Sequence, residues 1–212
     1  RVKLPPCNLS IGIIDWRYSQ PTRKTKMFTS LQITKAISEA SDDQQLYSPA
    51  KSEVSYLLSS CGSWTMGTAV EIAVADELTR CGIDCEHIGG PGQSDIVAYI
   101  GGRRRRLECK ASTLGPKSNI YTFVGIDPSQ FDTLLLAFIH PTQGLVVKSA
   151  SSDNVRTWGL NGPGGKERSW NVDQRGNGGY RMTTAANGEM SVKGLNLIEW
   201  NPEGLTMVKS AV

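Results

Sequence analysis

The sequence predicts an α/β fold: a central mixed β-sheet flanked by helices, with an irregular, loop-rich C-terminal addition. Three observations predict it. Apolar residues recur at helical spacing through Thr65–Arg80, and strand-like runs follow that helix in quick succession. The last third of the chain is rich in Gly, Asn, Ser and Trp. The chain divides accordingly into an N-terminal helical and irregular segment (1–64), a core (65–150) and a C-terminal extension of loops and strands (151–212).

Residues 1–28 read as irregular, apart from a short apolar run at Ile11–Ile14. Leu31–Ala40 is expected to be helical, with Leu31, Ile33 and Ile37 on one side and Ser30 as its N-cap. After the polar break Asp42–Ser48, Pro49–Leu58 suits a second short helix. Thr65–Arg80 carries Val70, Val74, Leu78 and Cys81 at helical spacing, and Gly82 stands where a C-terminal glycine would stop it. Ile83–Ile88 reads as a short strand and Gly89–Gly92 as a turn. Two strands then flank Gly101-Gly102, a favoured two-residue hairpin turn. Ile120–Ile126, Leu134–Ile139 and Gly144–Lys148 read as further strands, with a turn or short helix at Asp127–Phe131.

At 212 residues the chain can bury a core without staples, and 39% hydrophobic with 20% charged residues is ordinary for a globular protein. No apolar run reaches the length of a membrane span, so no membrane association is expected. The five cysteines include no CxxC pair. Cys81, Cys85 and His87 do not complete a zinc set, so reduced thiols in a cytosolic (cytoplasmic) protein are expected. The formal net charge of +3 says little by itself. The local basic run Arg103–Arg106 says more.

With Gly101-Gly102 as the turn, Ile100 faces Arg103, and counting back brings Asp95 opposite Glu108. Lys110 shares that face because side chains alternate along a strand. Two facing carboxylates repel, which leaves three outcomes: one is protonated, the pair is solvated, or a divalent cation sits between them. Mg2+ prefers one or two carboxylates together with waters and phosphates. An ammonium at Lys110 would orient water or offset charge growing on a phosphate. The residues thus outline a site for phosphodiester hydrolysis. A solvated hairpin in which Glu108 and Lys110 form a surface ion pair is the plainer alternative.

Asp95 followed by Glu108-Cys109-Lys110 resembles the motif of the PD-(D/E)XK nuclease superfamily, the restriction-endonuclease-like fold. Glu108 opens the only Glu-x-Lys of the chain. Glu71, in Gly67-Thr68-Ala69-Val70-Glu71, matches the acidic residue that family members often carry on the preceding helix. Ser94 replaces the family's proline. The likeness covers about Thr65–Ile139. It implies an Mg2+-dependent endonuclease (Mn2+ is the other fitting ion) acting on DNA, most simply double-stranded DNA cut by a homodimer of restriction type. Asp95, Glu108 and the Cys109 carbonyl would hold the metal, Lys110 would activate water, and Glu71 would serve a second ion or a water. A junction resolvase, a repair or RNA-cleaving toxin nuclease, and a non-catalytic nucleic-acid-binding module remain as other readings.

Arg104 and Arg106 share the Asp95 face and suit phosphate contact, although basic residues also blunt strand edges. Ser112, Thr113 and Lys117 are expected in a loop near the metal, and Gln93 beside Asp95. The tryptophans are expected in the core, and His140 in a structural role.

Overall fold

The computed structural model describes residues 28–40, 54–89, 94–115, 117–141, 143–162, 166–172 and 178–202. Cys7, Gln93 and the apolar run 11–14 lie outside them.

Helix α1 spans Ser30–Ala40, α2 Val54–Ser60 and α3 Ser63–Arg80. The cap of α1 is Thr29 and not Ser30. Thr29 Oγ1 accepts from Gln32 N–H at 3.2 Å while Gln32 Oε1 accepts from Thr29 N–H at 2.7 Å, a reciprocal capping box. Along α3, Ala69, Val70, Ala73, Val74 and Leu78 are buried at three- and four-residue spacing, which turns one stripe to the core. Gly82 (φ +73°) ends it in the left-handed region. There its N–H reaches Thr79 O at 2.9 Å and Ile83 N–H reaches Leu78 O at 2.9 Å.

Strands β1 (Cys85–His87), β2 (Ile96–Ile100) and β3 (Arg103–Thr113) follow, then β4 (Thr122–Ile126), β5 (Thr133–His140) and β6 (Gly144–Ser151). A fourth helix, α4 (Ser152–Leu160), precedes β7 (Trp170–Val172), β8 (Gly178–Thr183) and β9 (Ile198–Glu199). The main sheet has the order β1-β2-β3-β5-β6-β9. It is mixed because β3 and β5 run parallel while the other pairs are antiparallel. The parallel step needs a crossover, and the chain makes it through β4, which joins β8 and β7 in a second three-stranded sheet.

Both faces of the main sheet are covered, as the apolar run of β5 requires. Leu135, Ala137 and Ile139 join a core shared with α1, α2 and α3. Leu134, Leu136 and Phe138 join a second core on the opposite face with Phe123, Val155, Trp158, Tyr180 and Met182. The C-terminal third is therefore more regular than the sequence suggests. Ser151 caps α4 through its side chain, which accepts from Asn154 N–H, and Val155 and Trp158 face inward. Trp158 and Trp200 are buried as expected, but Trp64 (75% exposed) and Trp170 (43%) are not. No helix among the described residues is long and apolar enough to cross a membrane.

Candidate active site

The β2–β3 hairpin sets the geometry. Gly101 (φ +59°) and Gly102 (φ +73°) both occupy the left-handed region that a tight hairpin turn demands. The register runs from Ile100↔Arg103 to Ile96↔Leu107. One pair further, Asp95 lies opposite Glu108. The Cys109 N–H donates to Asp95 Oδ2 at 2.8 Å, which locks that carboxylate across the strands. Leu107 and Cys109 belong to the helix-side core. Glu108 and Lys110 alternate to the other face, where they pair with Leu134 and Leu136 of β5.

These groups are not a solvated surface pair. Glu108 is 5% exposed and Asp95 8%. Lys110 Nζ meets Glu108 Oε1 at 2.6 Å, while Glu108 Oε2 is buried with no hydrogen-bond partner among the described residues. Burial, then the charges of Glu108 and Glu71, push Asp95 from 3.8 up to about 7, against the pull of Lys110 and the Cys109 amide. Burial also raises Glu108; the Lys110 ammonium opposes it, and Glu71 and Asp127 add to it. Burial works against the Lys110 ammonium, but Glu108 and then Asp95 outweigh it and hold its pKa above the ordinary value. The cluster is thus short of positive charge. The orphaned Glu108 oxygen and the neighbouring Asp95 carboxylate are hard oxygen donors of the kind a divalent cation takes. No group of three or more His, Cys, Asp or Glu side chains is gathered to hold a metal ion among the described residues. Waters and substrate phosphate would have to complete the coordination.

Glu71 approaches from α3 on the helix side. Its Oε2 lies 2.9 Å from His87 Nε2 on β1, and its charge is felt at both Asp95 and Glu108. The other acids of that helix are engaged elsewhere. Glu77 binds Arg80 at 2.6 Å, and Asp76 binds Lys35 at 3.1 Å. In the sequence His87 stands out only as a zinc candidate, and nothing marks Asp127. The His87–Glu71 contact joins β1 to α3, and the Asp127 charge reaches Glu108 from beyond β4, so no local spacing announces either.

The remaining candidates are placed unevenly. Arg103, Arg104 and Arg105 are exposed at the hairpin tip. Arg106 is engaged: its Nη2 lies 3.3 Å from Asp132 Oδ1, and its N–H donates to Asp132 Oδ2 at 2.8 Å. Ser112 and Thr113 lie within β3 and not in a loop. Ser112 is buried, and its Oγ accepts from Thr122 N–H at 3.0 Å while donating to Thr113 O at 3.2 Å, so its hydroxyl serves the β3–β4 junction. Lys117 is exposed in the turn that follows β3. The Cys109 thiol is buried in the helix-side core, with its pKa raised by burial and then by the Asp95 charge. Cys61 and Cys85 are also free thiols. His140 Nδ1 accepts from Gln143 N–H at 3.2 Å in the β5–β6 turn.

No protein-family model matches the sequence, and no curated protein matches it significantly. Among solved structures, the chain is similar to a bacterial homing endonuclease, I-Ssp6803I, at 14% identity and a TM-score of 0.35. That similarity covers 41% of this chain and 67% of the other.

Proposed function

We propose that the protein is a divalent-metal-dependent nuclease that hydrolyses phosphodiester bonds in DNA. The observation that carries this reading is the buried Asp95–Glu108 pair, with Oε2 of Glu108 unpartnered and the Lys110 ammonium alongside. Folding alone does not favour such a cluster, because each buried carboxylate costs free energy that one lysine cannot return. Perturbed acids of this kind concentrate at functional sites.

Asp95 and Glu108 would hold Mg2+, or Mn2+ in its place, with the Cys109 carbonyl as a further donor. The bound ion would supply a Lewis acid to the scissile phosphate. Lys110 orients the attacking water and offsets negative charge as water oxygen adds to phosphorus and gives up a proton to solvent, one P–O ester bond breaks, and the leaving oxygen takes a proton from solvent. Glu71 adds a third negative charge from the helix side. The hairpin tip, Arg104 above all, contacts the phosphate backbone, and Lys117 extends that contact beyond β3.

Within this class we place the chain with sequence-specific, restriction-type endonucleases that act on double-stranded DNA as homodimers. One chain carries one Asp95–Glu108–Lys110 set, so cutting both strands at a site takes two copies. The second sheet and α4 stand on the same face as Glu108 and Lys110, where they can line the path of a bound duplex.

The test is cleavage of mixed DNA substrates in Mg2+ and in EDTA by wild type, Asp95→Asn and Lys110→Ala. Discrete fragments formed only with Mg2+, and lost in both variants, are the expected result. Cleavage that persists in EDTA or in Lys110→Ala would sink the mechanism. Metal-independent DNA binding without any cutting would favour the binding module.

A further inference from the structure

The turn that leaves β1 touches two acids of the site from different elements. His87 Nε2 lies 2.9 Å from Glu71 Oε2 on α3. The N–H groups of the next two residues, Ile88 and Gly89, both donate to the backbone carbonyl of Asp95, at 2.8 and 3.2 Å. Gly89 adopts φ +60°, and a Cβ there would stand 3.7 Å from the His87 ring, an ordinary contact distance. An ionised carboxylate can only accept, which makes Nε2 the donor nitrogen of His87. Glu71 is thereby held through Oε2.

We infer that His87–Gly89 is a positioning clip for the metal site. The His87 imidazole holds Glu71, and the two amides hold Asp95, so that acids from α3 and from the start of β2 keep a common spacing. His87 is a positioning residue that acts through Glu71, in the manner of groups that orient metal ligands from behind. The inference rests on the proposed metal-dependent reading.

The test measures Mn2+ binding by titration calorimetry on wild type, His87→Ala, His87→Gln, Glu71→Gln and the double variant His87→Ala/Glu71→Gln. Cleavage kinetics and thermal melts in EDTA are run alongside. His87→Ala should weaken Mn2+ binding about 10-fold and lower kcat with little change in KM for DNA. His87→Gln, whose amide can donate to the same oxygen, should recover most of the loss. On the Glu71→Gln background, removing His87 should cost little more, which a merely structural histidine would not show. The melts show whether each variant is folded before its binding is compared. If wild type binds Mn2+ and His87→Ala binds it equally well, the clip is wrong and the nuclease reading stands. Equal, additive losses from His87→Ala on both backgrounds would also overturn the clip. If wild type binds no Mn2+, both fall together.

Discussion

Replacing Asp95 by Asn should make the metal-free protein more stable at pH 8 while abolishing its activity. In the folded chain Asp95 is pushed from 3.8 to about 7 by burial and by the charges of Glu108 and Glu71. Well below pH 3.8 the carboxyl is protonated whether the chain is folded or not, and the shift costs nothing. As pH rises toward 7, the unfolded chain releases this proton first, so folding stability falls. Above the folded pKa the full penalty applies. At about 1.4 kcal/mol per pH unit, the shift amounts to about 4 kcal/mol. With Asp95 only 8% exposed, solvent screening removes little of it. An Asn oxygen can still accept the Cys109 N–H, and its amide brings donors to a cluster where Glu108 Oε2 has no partner. Burying that amide takes back part of the gain, so the variant should be stabilised by about 2–4 kcal/mol at pH 8. Urea unfolding in EDTA from pH 4 to 8.5 reads the difference directly. It should be near zero at the acid end and grow with pH. Adding Mg2+ at a hundred times its dissociation constant should then return about 2.7 kcal/mol to wild type and nothing to the variant. A variant no more stable than wild type at pH 8 in EDTA would refute the reasoning, because the carboxylate would then not be held against its own charge.

Three further outcomes follow from the same structure. Lys110→Ala removes the partner of a buried carboxylate and should destabilise the protein in EDTA at pH 8 by about 1–3 kcal/mol in urea titrations, less as Glu108 becomes protonated toward acid pH. Arg104→Ala should reduce the salt dependence of DNA binding by about one counterion in fluorescence titrations. Arg106→Ala, whose guanidinium already faces Asp132, should reduce it by less. Gly179→Ala would set a Cβ 2.5 Å from the backbone of Gly125 and Ile126, and should cost about 1–3 kcal/mol by pulling β8 from β4. Circular dichroism melts of that variant check it.

The hairpin was legible because a Gly-Gly turn fixes the pairing of every residue after it, and one strand's alternation then assigns the faces. The same logic could not reach the groups that cross between elements. His87 and Glu71 are sixteen positions apart and meet only because β1 runs beside α3. Arg106 and Asp132 meet only once the loop into β5 folds back on β3. Helix α4 went unread because its apolar stripe amounts to Val155 and Trp158, set among glycines and asparagines that mimic loop composition. Ser112 and Thr113 looked like loop residues because hydroxyls favour turns. Here the parallel pairing of β3 with β5 carries the strand through them as far as Thr113↔Ile139. Trp64 and Trp170 show the limit of composition: aromatic bulk alone does not say which side faces the core.

The raised pKa values of the site's carboxyls follow from the position of β5 more than from any single residue. That strand is buried on both faces, and Leu134 and Leu136 are the partners of Glu108 and Lys110 in the parallel ladder. The second core therefore extends apolar surface up to the carboxylates and strips water from them. The alternation that sends Leu107 and Cys109 to the helices leaves Glu108 no other face to occupy. Within Glu108-Cys109-Lys110, the middle residue fills the core with its thiol and clamps Asp95 with its amide. The two outer residues bear the resulting electrostatic conflict. Local features that oppose stability usually persist where they serve function. Here the opposition is concentrated in three charged groups on one face of one hairpin, so changes there should move stability and activity in opposite directions when a charge is removed from Asp95, and in the same direction when it is removed from Lys110.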